Sequence, residues 1–169
     1  RRACLRQKPF WRMLVNYMMI DPPQPILPDL LDGVEVTHDH LLAEQVQITQ
    51  PKTGYRVGSD AVLAAASLTA ARGRVLDLGA GVGGISLCIA KRLDGVQITA
   101  VEIDPVTAAL ARHNVAVNGM GQQVRVVNAD ITAMPAVMVD SFDHVISNPP
   151  YHHKAGTRPR HAARAIAHM

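Results

Sequence analysis

Between residues 74 and 148 short apolar runs alternate with longer stretches of helical period. RVLDLG (74–79), VQITAVEID (96–104), QVRVVNAD (123–130) and FDHVISN (142–148) are nearly continuous in apolar residues, the pattern of strands buried on both faces. GGISLCIAKRL (83–93) and PVTAALARHNVAVNG (105–119) predict helices. The second has proline in its first turn and glycine at its end, and Asp104 is placed to cap it. Strand and helix in alternation predict α/β architecture, a parallel sheet in an open doubly wound arrangement with both faces covered. Upstream, VEVTH and VQITQ predict a hairpin or small cap, with Pro51 ending the second run. Ser59-Asp60 before AVLAAASLTAA predicts an N-capped helix of small residues. DPPQPILPDL (21–30) is extended and proline-rich, which divides the chain into an N-terminal extension and arm (1–32) and a domain (33–169).

Composition adds limits. With 169 residues, 48% of them hydrophobic, the chain can bury one substantial core. No run of 18 apolar residues occurs, so no membrane span is expected; MLVNYMMI (13–20) is too short. Five basic residues precede that run, as in a secretory leader, but no small-residue cleavage site follows it. Met18 and Met19 are plausible starts. Cys4 and Cys88 are too few for a disulfide framework or a zinc site, which fits a reducing cytoplasm, and Cys88 is expected in the core. The charge of +3 is divided. Residues 1–12 carry five basic residues and 151–169 carry four, neither with an acid, leaving 8 basic against 14 acidic residues between them, a net of −6. The basic C-terminal segment is suited to attract a polyanion such as RNA.

Open sheets of this kind bind ligands at the carboxyl ends of their strands. Asp77, Gly79, Gly81, Glu102, Asp130 and Asn148 all fall at such ends. The loop DLGAGVGG allows two readings. Gly79, Gly81 and Gly84 match G-x-G-x-x-G, and Glu102 follows Gly79 by 23 residues, as in a dinucleotide site. The other reading is S-adenosylmethionine (SAM), whose cationic amino-acid end suits Asp77, a carboxylate that would repel a pyrophosphate. Glu102 can accept from ribose hydroxyls under either reading, and Asp130 from an adenine amino group. His38 with His40, and His152 with His153, have no partner at recognised ligand spacing, so no metal site is expected.

VLDLGAGVG, VEID, NAD and NPPY, in this order and spacing, resemble the class I SAM-dependent methyltransferases with their Rossmann-like fold. The upstream QPKTGYRVGSDAVLAAA resembles the bacterial tRNA adenine N6-methyltransferases of the "methyltransferase small domain" group, which act next to the valine tRNA anticodon. The resemblance covers residues 33–169. It implies SAM as cofactor, S-adenosylhomocysteine as product, tRNA as partner and an exocyclic amine as methyl acceptor. In NPPY, the Asn148 side-chain carbonyl and the Pro149 backbone carbonyl would accept from that amine. Pro150 would stiffen the loop and Tyr151 stack on the base. Tyr55, Arg56, Gly58 and Asp60 would close over the cofactor near its methyl group, and Lys52 can face phosphate.

The family has seven strands, and four are legible in the core before the chain stops. The sequence is therefore expected to be truncated after the fourth core strand, part of a longer polypeptide. Three other readings compete: methylation of rRNA guanine or a release-factor glutamine, an NAD-dependent oxidoreductase, and a non-catalytic RNA-binding remnant.

Overall fold

The computed structural model describes residues 33–69, 72–133 and 141–149. The N-terminal arm, Pro150, Tyr151, His152, His153 and the basic C-terminal segment lie outside the described residues. In chain order the elements are β1 (Val36–Leu41), β2 (Val46–Pro51), α1 (Ser59–Ser67), β3 (Gly73–Leu78), α2 (Gly84–Arg92), β4 (Val96–Glu102), α3 (Pro105–Val117), β5 (Val124–Asn128), a 3-10 turn (Ile131–Ala133) and β6 (His144–Ser147). β1 and β2 form the expected antiparallel hairpin. The main sheet is parallel, in the order β5-β4-β3-β6.

That order places the functional edge. From β3 the chain steps outward to β4 and β5, then returns to the other side of β3 as β6. The strand order reverses between β3 and β6, the place where open sheets of this kind bind ligands at their carboxyl ends. Leu78 pairs with Ser147, whose hydroxyl donates to the Leu78 carbonyl at 2.9 Å. The glycine loop and Asn148 thus leave the sheet side by side.

The core lies between the central strands and the helices. Val75, Leu87, Cys88, Ile89, Ala100 and Leu110 are fully buried, Cys88 as its small apolar context predicts. Each of the larger aliphatic side chains contributes about 1.5–3 kcal/mol by leaving water. Asp104 caps α3 as expected, accepting from the Thr107 amide at 2.7 Å.

Three departures from expectation have physical causes. First, the cap of α1 is Gly58, which has no side chain to offer, and the Asp60 carboxylate is engaged elsewhere. Second, α1 stops at Ser67 rather than reaching residue 71; the Ser67 hydroxyl turns back onto the Ala64 carbonyl at 2.7 Å and Leu68 is extended. Third, β6 is not covered on both faces among the described residues: its burial alternates and Val145 is 62% exposed, as befits a strand at the edge of the described sheet.

The hairpin is held to α3 by two asparagines one turn apart. Asn114, fully buried, accepts from the Thr49 amide and donates to the carbonyls of Thr49 and Val82. Asn118 accepts from the Gln47 amide and donates to the Gln47 carbonyl. These amides do for alternate residues of β2 what a neighbouring strand would do.

Candidate active site

At the end of β3, Asp77 is completely buried. Its Oδ2 accepts from the Ser86 hydroxyl at 2.7 Å, while Oδ1 has no partner among the described residues. Burial raises its pKa to about 6; the bonds from Ser86 oppose that rise and the nearby Glu102 carboxylate adds to it. Among the described residues neither carboxylate has a salt-bridge partner. The ends of β3 and β4 therefore hold two buried carboxyls with no counter-charge among the described residues, which suits a cation and disfavours a pyrophosphate.

The loop after Asp77 is open above its backbone. Gly79 and Gly81 have φ of +68° and +58°, and a Cβ at either would meet nothing within 4 Å. A side chain there would occupy the space over the loop and strain the backbone. Gly84 serves another purpose: a Cβ on it would lie 2.6 Å from a Val57 methyl, so its absence lets residues 55–58 sit against the first turn of α2. Glu102 braces the loop, accepting from the Gly81 amide at Oε2 and the Asp104 amide at Oε1, both at 2.9 Å. Each carboxylate oxygen has a second lone pair, so hydroxyl donors can still be accommodated. The orphaned Asp77 oxygen, the open glycine loop and Glu102 at the next strand end fit a cationic adenosyl cofactor.

Asp130 caps its own turn: its Oδ1 accepts from both the amide and hydroxyl of Thr132 at 2.7 Å, and these bonds hold its pKa below the ordinary value. It is exposed at the carboxyl end of β5, near Asn128, whose side chain donates to the Glu102 and Ile103 carbonyls.

The upstream segment divides. Tyr55 and Asp60 meet Asn148: the Tyr55 hydroxyl donates to Asp60 Oδ2 at 2.9 Å, and Asn148 Nδ2 donates to the same oxygen at 2.7 Å and to the tyrosine oxygen at 3.1 Å. Gly58 sits beneath them, where a Cβ would come 3.1 Å from Asp60 Oδ1. Arg56 turns away toward the hairpin, donating to Thr37, Asp39 and the Pro51 carbonyl. Gln50 joins this network, donating to Asp39 and accepting from the Val57 amide at 2.8 Å. Lys52 pairs with Glu35 across an exposed 3.1 Å contact. Pro149 is exposed beside Asn148.

Sequence reasoning passed over Ser86, Asp39, Gln50, Asn114 and Asn118. Two signals were present. A lone hydroxyl in the apolar helix GGISLCIA and an asparagine inside α3, followed four residues later by a second at its C-terminal cap, are poor choices for helix formation alone. The Asp39–Arg56 contact spans two elements and leaves no local pattern.

Comparison with known proteins agrees with this geometry. The family model "Methyltransferase small domain" matches residues 53–169. A "tRNA1(Val) (adenine(37)-N6)-methyltransferase" of Tolumonas auensis is 36% identical over 127 residues, 73% of this chain and 52% of the relative. The protein of that name from Shewanella amazonensis is 42% identical over 58% of this chain and 42% of its own length. The chain spans about half the length of the curated relatives it matches. Among solved structures, M. jannaschii TYW2 in complex with AdoMet superposes with a TM-score of 0.57 at 18% identity, covering 70% of this chain and 52% of that one. P. horikoshii TYW2 in complex with MeSAdo gives 0.50 at 24% identity, covering 59% and 38%. These two show the fold. With its sheet order, its glycine loop and this family match over most of its length, the chain belongs to the methyltransferase small domain family.

Proposed function

We propose that this chain carries the cofactor-binding part of a SAM-dependent N-methyltransferase whose acceptor is an exocyclic amine, adenine N6 in tRNA. One observation supports this most: at the strand-order reversal, the Asn148 amide is held beside the glycine loop by Tyr55 and Asp60. The names of the relatives, tRNA adenine N6-methyltransferases, support the choice of amine. SAM supplies a methyl group bound to a cationic sulfur. Asp77, Glu102 and the Gly79–Gly81 backbone would hold it, and Asp130 lies near its adenine end.

The adenine amine is a weak nucleophile, because its lone pair is delocalised into the ring. Its two N–H groups call for two acceptors, the Asn148 Oδ1 and the Pro149 carbonyl. Held there, the amine would be aligned for attack, and the acceptors would stabilise the positive charge that grows on nitrogen as the new N–C bond forms and the methyl–sulfur bond breaks, its electron pair leaving with S-adenosylhomocysteine. Proline at 149 keeps a competing donor out of the loop. The surplus proton leaves after transfer, so no strong base is required. Tyr151 would stack on a base already unpaired, as in an anticodon loop, and the basic C-terminal segment would meet phosphate. Among the described residues no helix is long and apolar enough to cross a membrane. A cytoplasmic location accords with a tRNA substrate.

Calorimetric titration with S-adenosylhomocysteine, with NAD in parallel, tests the cofactor. Micromolar binding of the former, about −8 kcal/mol, is expected. Binding of NAD alone would overturn the proposal. Methyl transfer from labelled SAM to unmodified tRNA, but not to release factor or ribosomal RNA, tests the substrate.

A further inference from the structure

Within that functional reading, on which this step rests, we infer that Asp60 is a positioning residue that fixes which end of the Asn148 side-chain amide faces the acceptor amine. An asparagine amide has two nearly isosteric orientations. Only one presents the carbonyl oxygen; the other presents NH2 to an amine that is itself a donor, and the contact becomes repulsive. Nothing in the strand end itself chooses between them. The Tyr55 hydroxyl does not choose by itself: its one proton goes to Asp60 Oδ2, and only that commitment leaves its oxygen to accept from Asn148.

Asp60 does choose. An ionised carboxylate accepts and cannot donate, so only the Asn148 nitrogen can face it. The contact is short, 2.7 Å, and directs Nδ2 onto Asp60 Oδ2, leaving Oδ1 on the opposite side of the amide. The carboxyl is charged at neutral pH. Partial burial raises its pKa, but the bonds from Asn148, Tyr55 and the backbone outweigh that and bring it below the ordinary value. The same charge polarises the amide and makes Oδ1 a stronger acceptor as positive charge appears on the substrate nitrogen.

The partners are far apart in sequence: Asp60 lies 88 residues from Asn148, and Tyr55 lies 93. Each is anchored independently. Asp60 stands in the first turn of α1; Tyr55 precedes a segment pinned by the Arg56–Asp39 and Val57–Gln50 contacts; Asn148 follows the Ser147–Leu78 bond. The hairpin network therefore acts on the chemistry without touching it, by holding the tyrosine and carboxylate against the amide.

The test uses nuclear magnetic resonance of the whole 15N-labelled chain, with the Asn148 side-chain signals assigned by their loss in Asn148→Ala. In the native chain one of the two amide protons is expected to lie well downfield and to exchange slowly with water. Asp60→Ala abolishes both features, Asp60→Asn weakens them, and Asp60→Glu restores them in part. In methyl transfer, Asp60→Ala lowers kcat by roughly 100-fold, the scale of a misplaced reacting group, with KM for RNA unchanged. A structural role alone would not be rescued by Asp60→Glu, in kcat or in the amide signals. Asn148 signals that ignore all Asp60 variants would overturn the inference. Failure of the native chain to bind S-adenosylhomocysteine would count against the functional proposal instead, and the amide signals would still decide the role of Asp60.

Discussion

Replacing Asp77 by asparagine separates stability from function. In the folded chain this buried carboxyl has a pKa of about 6, against 3.8 in an ordinary setting. The folded state thus holds the proton more tightly than the unfolded one. Asp77 costs no stability below pH 3.8, costs progressively more as pH rises through the interval up to about 6, and imposes a constant penalty above it. A rise of about two pH units is equivalent to about 3 kcal/mol, of which about half falls between pH 5 and pH 7. Asparagine cannot ionise, and its carbonyl can still accept from Ser86 Oγ. Its NH2 would then occupy the position of the unpaired Oδ1, at a cost of about 1–3 kcal/mol for an unsatisfied buried donor. At pH 7 the variant is therefore expected to match or exceed native stability by about 0–2 kcal/mol. Urea denaturation of both proteins at pH 5 and pH 7, followed by circular dichroism, reads the difference; contributions of other titrating groups cancel. The native chain should lose about 1 kcal/mol relative to the variant over that interval. Parallel curves would refute the reasoning. S-adenosylhomocysteine binding should fall in the variant although its fold is no weaker.

The same carboxylate gives cofactor binding a pH dependence. The ammonium group of the ligand favours ionised Asp77, so native affinity for S-adenosylhomocysteine should rise from pH 5 to pH 7 with release of a proton, seen as a buffer-dependent heat that Asp77→Asn lacks. Asn114→Ala removes three buried hydrogen bonds that hold β2 to α3 and to Val82; a loss of about 3 kcal/mol in thermal or urea unfolding is expected, with hydrogen exchange fastest in the hairpin. Gly84→Ala drives a methyl into Val57 and should cost about 1–3 kcal/mol.

Much of the fold was legible along the chain because its cause is local. Continuous apolar runs mark the central strands, and Asp104-Pro105 marks the start of α3. The glycines at 79 and 81 announce the left-handed turns found there, since few other residues adopt them. The limits of α1 and the half-open face of β6 were not legible. They depend on what lies across from Asp60 and Val145, and a single segment carries no record of that.

For the site, sequence alone determined which chemical groups stand at the strand ends: Asp77, the glycines, Glu102, Asp130 and Asn148. It could do so because alternation of strand and helix puts every loop of one kind on one edge. Tertiary structure alone decided how those groups are used. The reversal of strand order between β3 and β6 seats Asn148 beside the glycine loop. Burial without a counter-ion shifts Asp77. Packing of α1 and the hairpin turns Arg56 toward Asp39 and Asp60 toward Asn148, two residues only four apart in sequence. Electrostatic environment and amide orientation are properties of what surrounds a group, and in this protein the surroundings come from segments up to 93 residues away.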